Sequence, residues 1–184
     1  ESLSFATRAK LHEQLAGYLE NLGAEAASLI ETLAFHYGRS DNAAKQIEYL
    51  RKAGKAAQKN FANEAALDFY GQLLALLKDD KTNAKEHAEI YMQRGQALEF
   101  MGKWGEAESD YRAALELAGE SQAEAGLKAG AQFALGKLNR LRGDYGLALD
   151  WLAQAQVPGL HWLRAFRCLN RFWRQKQSTC SQPS

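Results

Sequence analysis

The sequence predicts an all-α chain, and three observations carry that prediction. Alanine fills 32 of the 184 positions, whereas Val and Ile together fill only four (Ile30, Ile47, Ile90 and Val157), so the β-branched residues that pave pleated sheets are nearly missing. The first proline is Pro158, which leaves 157 residues without the strongest helix breaker. Apolar residues recur at spacings of three and four along most of that stretch.

Taken in order, residues 7–22 place Leu11, Leu15, Tyr18, Leu19 and Leu22 on one helical face, with Arg8, Lys10, Glu13, Gln14 and Glu20 on the other. A second helix over about 25–38 carries Leu29, Ile30, Leu33, Ala34 and Tyr37 and ends at Gly38-Arg39-Ser40-Asp41-Asn42. A third covers about 43–60 and a fourth about 62–78, followed by the polar loop Asp79-Asp80-Lys81-Thr82-Asn83. Beyond it the chain matches itself under a shift of 41 residues. Gly95 falls on Gly136, Gly102 on Gly143, Trp104 on Tyr145, Ala107 on Ala148, Tyr111 on Leu152 and Ala114 on Ala155. The same shift backwards sets Ala66 under Ala107, Tyr70 under Tyr111 and Phe61 under Gly102.

Each block reads as a helical hairpin. A small residue in the first helix admits the second, and a glycine supplies the left-handed turn. Trp104 or Tyr145 is expected to plug the corner, and Tyr111 and Leu152 to reach the neighbouring pair. The pattern Gly95, Leu98, Gly102, Trp104, Ala107, Tyr111, Ala114 resembles the tetratricopeptide repeat. It recurs as Gly136, Asn139, Gly143, Tyr145, Ala148, Leu152, Ala155, and more weakly as Leu33, Ala34, Tyr37, Leu50 and Ala53 with Gln46 at the usual alanine. The resemblance implies a right-handed solenoid of antiparallel helical hairpins, with linkers after residues 78 and 118 longer than the family's usual ~34-residue unit allows.

A narrower resemblance involves Ser2 to Arg8 with Leu11-His12, then Leu33 to Tyr37, Tyr49 to Gly54 and Ala62 to Tyr70. These segments are similar to the helical region that follows the ATPase module of large bacterial signalling ATPases, which often carry a nucleotide cyclase or a DNA-binding regulator. It implies an interaction or sensor segment beside upstream catalytic domains, and the start at Glu1 rather than Met suggests a piece of a longer polypeptide. The expected organisation is an N-terminal helix (1–24), helical repeats (25–156) and an atypical basic tail or capping helix (157–184).

Charge divides unevenly. The first 150 residues hold 18 basic against 22 acidic residues, while the tail holds Arg164, Arg167, Arg171, Arg174 and Lys176 and no acid. As a helix the tail would place an arginine stripe beside Leu163, Phe166, Leu169 and Trp173. It reads first as a cap docked on residues 131–156, and otherwise as a surface for nucleic acid, anionic lipid or a partner helix, nucleic acid being an unexpected partner. Cys168 and Cys180 could bridge only each other, a reducing cytoplasm is the expected location, and no apolar run approaches the ~18 residues of a membrane span.

Catalytic chemistry finds no footing. Gly95 to Gly102-Lys103 and Gly130 to Gly136-Lys137 have the wrong spacing for a phosphate loop and lack its hydroxyl residue. His12, His36, His87 and His161 show no metal-ligand spacing, and His12 and His36 read as half-buried helix residues with a satisfied hydrogen bond. No enzyme activity, metal or cofactor is expected.

What remains is a surface for a protein or peptide. If first helices line a concave groove, as the resemblance implies, the candidates are Glu31, Phe35 and Arg39; Glu89, Met92, Gln96, Glu99 and Phe100; and Phe133, Lys137, Arg140 and Leu141. Phe100 and Phe133 would anchor a ligand and Lys137 and Arg140 would meet a carboxylate. The competing reading makes Phe35, Phe100 and Phe133 interhelical core.

Overall fold

The structure is a computed structural model that describes residues 4–22, 27–78, 83–119 and 125–155. Among the described residues there are eight α-helices and no strand: α1 (Phe5–Asn21), α2 (Ala27–Tyr37), α3 (Ala43–Lys59), α4 (Asn63–Leu77), α5 (Ala84–Phe100), α6 (Trp104–Leu117), α7 (Ala125–Arg142) and α8 (Tyr145–Gln154). The helices fall in two compact units that divide within α6, after Asp110. No helix among the described residues is long and apolar enough to cross a membrane. The expected cap or binding surface built on Leu163, Phe166, Leu169, Trp173 and the tail arginines lies outside the described residues.

In the first unit each helix packs on the next, α1 on α2, α2 on α3, α3 on α4 and α4 on α5. Ser4 caps α1, its Oγ accepting from the Thr7 N–H at 3.2 Å, and the Asn42 side chain caps α3 by accepting from Lys45 N–H at 3.1 Å. The core is alanine-lined, with Leu33, Tyr49, Leu50, Tyr70, Leu73 and Ile90 sealed from solvent. Small residues at the crossings let large ones interdigitate, and each buried large apolar side chain contributes about 1.5–3 kcal/mol. A polar knot ties α1 down: the Glu20 carboxylate accepts from Tyr37 Oη (2.7 Å), Lys45 Nζ (2.6 Å) and Tyr49 Oη (2.8 Å), and the two tyrosine rings stack 5.2 Å apart.

The 41-residue repeat is written in the backbone. Where α3 ends, Ala62 N–H donates to Ala57 C=O; where α5 ends, Lys103 N–H donates to Leu98 C=O; where α7 ends, Asp144 N–H donates to Asn139 C=O, each at 2.9 Å. The turn residue before each donor has a positive φ: 59° at Phe61, 74° at Gly102 and 86° at Gly143. Phe61 therefore occupies the left-handed position without being glycine. This register makes α3, α5 and α7 first helices, and α4, α6 and α8 second helices.

Two local expectations change. Leu152 does not reach only outward: it sits on Gly136 of its own hairpin, where an added Cβ would stand 2.6 Å from Leu152 Cγ. Tyr70 covers Gly54 in the same way. Trp104 and Tyr145, expected to plug the corner, are instead exposed at the first position of α6 and α8.

Candidate functional site

The lateral contact between first helices α3 and α5 defines one face of the first unit. Gln58 Nε2 donates to Gln96 Oε1 at 3.1 Å and to Gln93 C=O at 3.4 Å, and Arg51 pairs with Glu86. Behind Gln58, Tyr70 Oη from α4 donates to Gln58 Oε1 at 3.1 Å, so the side chain that bridges the two helices is itself held. Helical spacing sets Lys55 beside Gln58 on α3 and Lys59 one turn after Lys55, and it sets Met92 and Phe100 beside Gln96 on α5. Lys55, Lys59, Gln96 and Phe100 are exposed, Phe100 by 64%. Glu89 is exposed one turn before Met92, and Glu99 is half-buried and engaged with a partner. The face thus offers two ammonium groups from α3 and an aromatic ring and a thioether from α5.

In the same stretch of α5, the Arg94 guanidinium grips Asp110 of α6 in a two-pronged pair, Nε to Oδ2 at 2.7 Å and Nη2 to Oδ1 at 2.6 Å, with the carboxylate buried. This pair and partial burial act oppositely on Arg94, and the pair wins, holding its pKa above the ordinary arginine value.

Glu31, Phe35 and Arg39 lie on or just after α2, which corresponds in the 41-residue register to α4 and α6, the second helices. They do not share the α3/α5 face. Phe35 is half exposed, and the Arg39 guanidinium sits 3.6 Å above its ring. The same register nominates Arg51, Lys55, Gln58 and Lys59 on α3 as the partners of Met92, Gln96, Glu99 and Phe100. The period was visible in the sequence and set Phe61 under Gly102; the weaker match through Leu33, Ala34, Tyr37, Gln46, Leu50 and Ala53 instead made α3 a second helix, and the turn at Phe61 shows it to be a first one.

In the second unit, Phe133, Lys137 and Arg140 of α7 join Tyr145, Ala148, Leu149 and Leu152 of α8 around a cleft of about 500 Å³. Phe133 is 38% exposed and Leu141 lies exposed nearby. The three phenylalanines Phe35, Phe100 and Phe133 are therefore half-open side chains rather than sealed interhelical core. Among the described residues, no group of three His, Cys, Asp or Glu side chains could hold a metal ion.

Residues 88–121 match the family model described as the tetratricopeptide repeat, covering α5 from Ala88 and all of α6. Repeats of this family generally mediate protein–protein interaction. No curated protein matches the chain.

Proposed function

We propose that this tetratricopeptide-repeat chain is a non-catalytic protein-binding module, and that in its first unit the α3/α5 face takes an extended acidic peptide segment with an apolar anchor. The observation that carries the reading is the Gln58–Gln96 bridge. It joins two first helices side by side and leaves Lys55, Lys59 and Phe100 exposed around it. Carboxylates of the ligand would meet Lys55 and Lys59, and a Leu or Phe side chain would lie on Phe100 and Met92. An exposed aromatic ring beside charged groups supplies most of the affinity at such surfaces, because it buries large area at small entropic cost. The sequence resemblance supports placing this module, in the cytoplasm, as the interaction arm of a larger bacterial signalling ATPase.

The face is tested by titrating an acidic peptide, selected on the full chain from a random display library, into isotope-labelled protein and following amide shifts. Shifts centred on Lys55, Gln58, Gln96 and Phe100 support the reading. Shifts confined to the outer side of α4, around Gln72 and Leu76, overturn it.

A further inference from the structure

The joint between α1 and α2 holds a cluster that the peptide-binding face does not use. His12 and His36 meet through Nδ1 atoms 2.8 Å apart, their rings 5.1 Å apart and tilted by 39°. Two facing Nδ1 atoms at that distance share one proton: one ring donates, the other accepts, and the donor ring keeps an unprotonated Nε2. One further proton at that Nε2 turns the contact into a charge-assisted bond between imidazolium and imidazole. A second further proton would set two cations nose to nose without an acceptor. The pair is therefore a one-proton reservoir.

Its surroundings are cationic. Phe35 stands edge-on to both imidazoles, 6.2 Å from His12 and 5.2 Å from His36, and carries the Arg39 guanidinium on its face. Burial, together with the positive charges of His12 and Arg39, holds His36 below its usual pKa. Next to the pair a cleft of about 320 Å³ opens between the first half of α1 and the turn after α2. Among the described residues, Phe5, Arg8, Ala9, His12, Arg39 and Ser40 line it and no carboxylate does. The nearby acidic groups are Glu13 on α1, whose Oε1 accepts from Asn42 Nδ2 at 3.0 Å, and Asp41 in the turn before α3.

We propose that this cleft is a proton-coupled oxyanion site: it takes a sulfate ion or the phosphate group of a small ligand against Arg8, Arg39 and His12, and the histidine pair gains one proton as the anion binds. Two guanidinium groups and an imidazole supply donors, Arg39 giving one long bond of 3.4 Å from Nη1 to the Phe35 C=O and keeping its other N–H groups for the ligand, which is the donor set a tetrahedral oxyanion requires. The cleft volume is that of a small-ligand pocket. The anion offsets the repulsion that keeps the pair short of its extra proton, so each event favours the other by linkage. The sign follows: affinity rises as pH falls through the histidine range.

Calorimetric titration of the full chain with sodium sulfate, at constant ionic strength set by chloride, tests this, because sulfate keeps its charge from pH 5 to 8. In two buffers of different ionisation enthalpy the expected result is uptake of up to one proton per anion, with affinity rising about tenfold from pH 7.5 to 5.5. Arg8→Gln and Arg39→Gln should each weaken binding about tenfold or more. His12→Asn should weaken binding and abolish proton uptake, whereas His36→Gln, outside the cleft, should retain binding with less proton uptake. Phenyl phosphate should bind more tightly than sulfate if a small phosphate ester is the ligand, and no better if the site takes the free ion. Absence of binding at about 20 mM sulfate at pH 5.5, binding without proton uptake, or indifference to Arg8→Gln overturns the proposal.

Discussion

Gly54 of α3 lies directly beneath the ring of Tyr70 of α4: a β-carbon at Gly54 would stand 2.5 Å from Cε1 and 2.9 Å from Cδ1. Tyr70 cannot yield, since it is fully buried and its hydroxyl is bound to Gln58. Two repeat periods away, Gly136 bears the same relation to Leu152, with Ala148 C=O also 3.2 Å from the absent Cβ. The helices of a hairpin approach as closely as they do because these positions have no side chain.

Gly54→Ala should therefore destabilise the protein by about 1–3 kcal/mol, overpacking outweighing the ~1 kcal/mol that alanine gains in helix propensity. Gly71→Ala on α4 is the matched control. Nothing lies within 4 Å of its would-be Cβ, so that variant should gain about 0.5–1 kcal/mol. Urea unfolding of both variants checks the pair; equal effects would remove the close-approach argument.

Phe61 should be replaceable by glycine with a gain in stability. It holds φ at 59° and is 77% exposed, so it carries left-handed strain of about 1–2 kcal/mol while burying little. Loss of an exposed phenylalanine at a turn is ordinarily neutral. Phe61→Gly is expected to raise the urea midpoint by an amount equivalent to about 1 kcal/mol, and a fall would show that the ring has a packing role.

Glu20 makes the attachment of α1 sensitive to acid. Hydrogen bonds from Lys45 and then Tyr37 outweigh burial and bring its pKa from 4.5 down to about 2. The folded-state value is below the unfolded one, so this stabilisation is fully present above the unfolded pKa and is lost as pH falls from about 4.5 to about 2. Burial, followed by the hydrogen bond to Glu20 and its negative charge, pushes Tyr37 up to about 12. Glu20→Gln should cost about 1–3 kcal/mol at pH 7 and flatten the acid limb of the stability profile, measured by urea midpoints from pH 7 to pH 2.

Asp110→Ala should destabilise by about 2–4 kcal/mol, because it leaves the half-buried Arg94 without its carboxylate. In the 41-residue register the positions equivalent to Asp110 hold Phe69 and Trp151, and those equivalent to Arg94 hold Ala53 and Leu135. The double change Arg94→Leu/Asp110→Phe should recover much of the loss, read from the same unfolding curves.

The helices were legible because alanine-rich, proline-free sequence with three- and four-residue periodicity admits little else. The four sequence-predicted N-terminal helices agree with α1 to α4 to within two residues at every boundary. The turn at Phe61 was legible only through the period, since a phenylalanine carries no turn signal. That same period, followed one block further back, places Arg51, Lys55 and Lys59 on the face where Glu31, Phe35 and Arg39 had been expected. Contacts between distant residues were not legible. His12 meets His36 across 24 positions and Arg94 meets Asp110 across 16, and nothing in either local sequence names the partner.

The central claim is that the α3/α5 face selects acidic protein segments, and peptide-library selection on the wild-type chain and on Lys55→Glu/Lys59→Glu in parallel tests it most directly. Both lysines are exposed, so the double variant should keep its helicity and unfolding midpoint. The account predicts that acidic peptides with an apolar residue dominate the wild-type selection and bind the variant at least about tenfold more weakly. Equal affinity of the selected peptides for both proteins would contradict it.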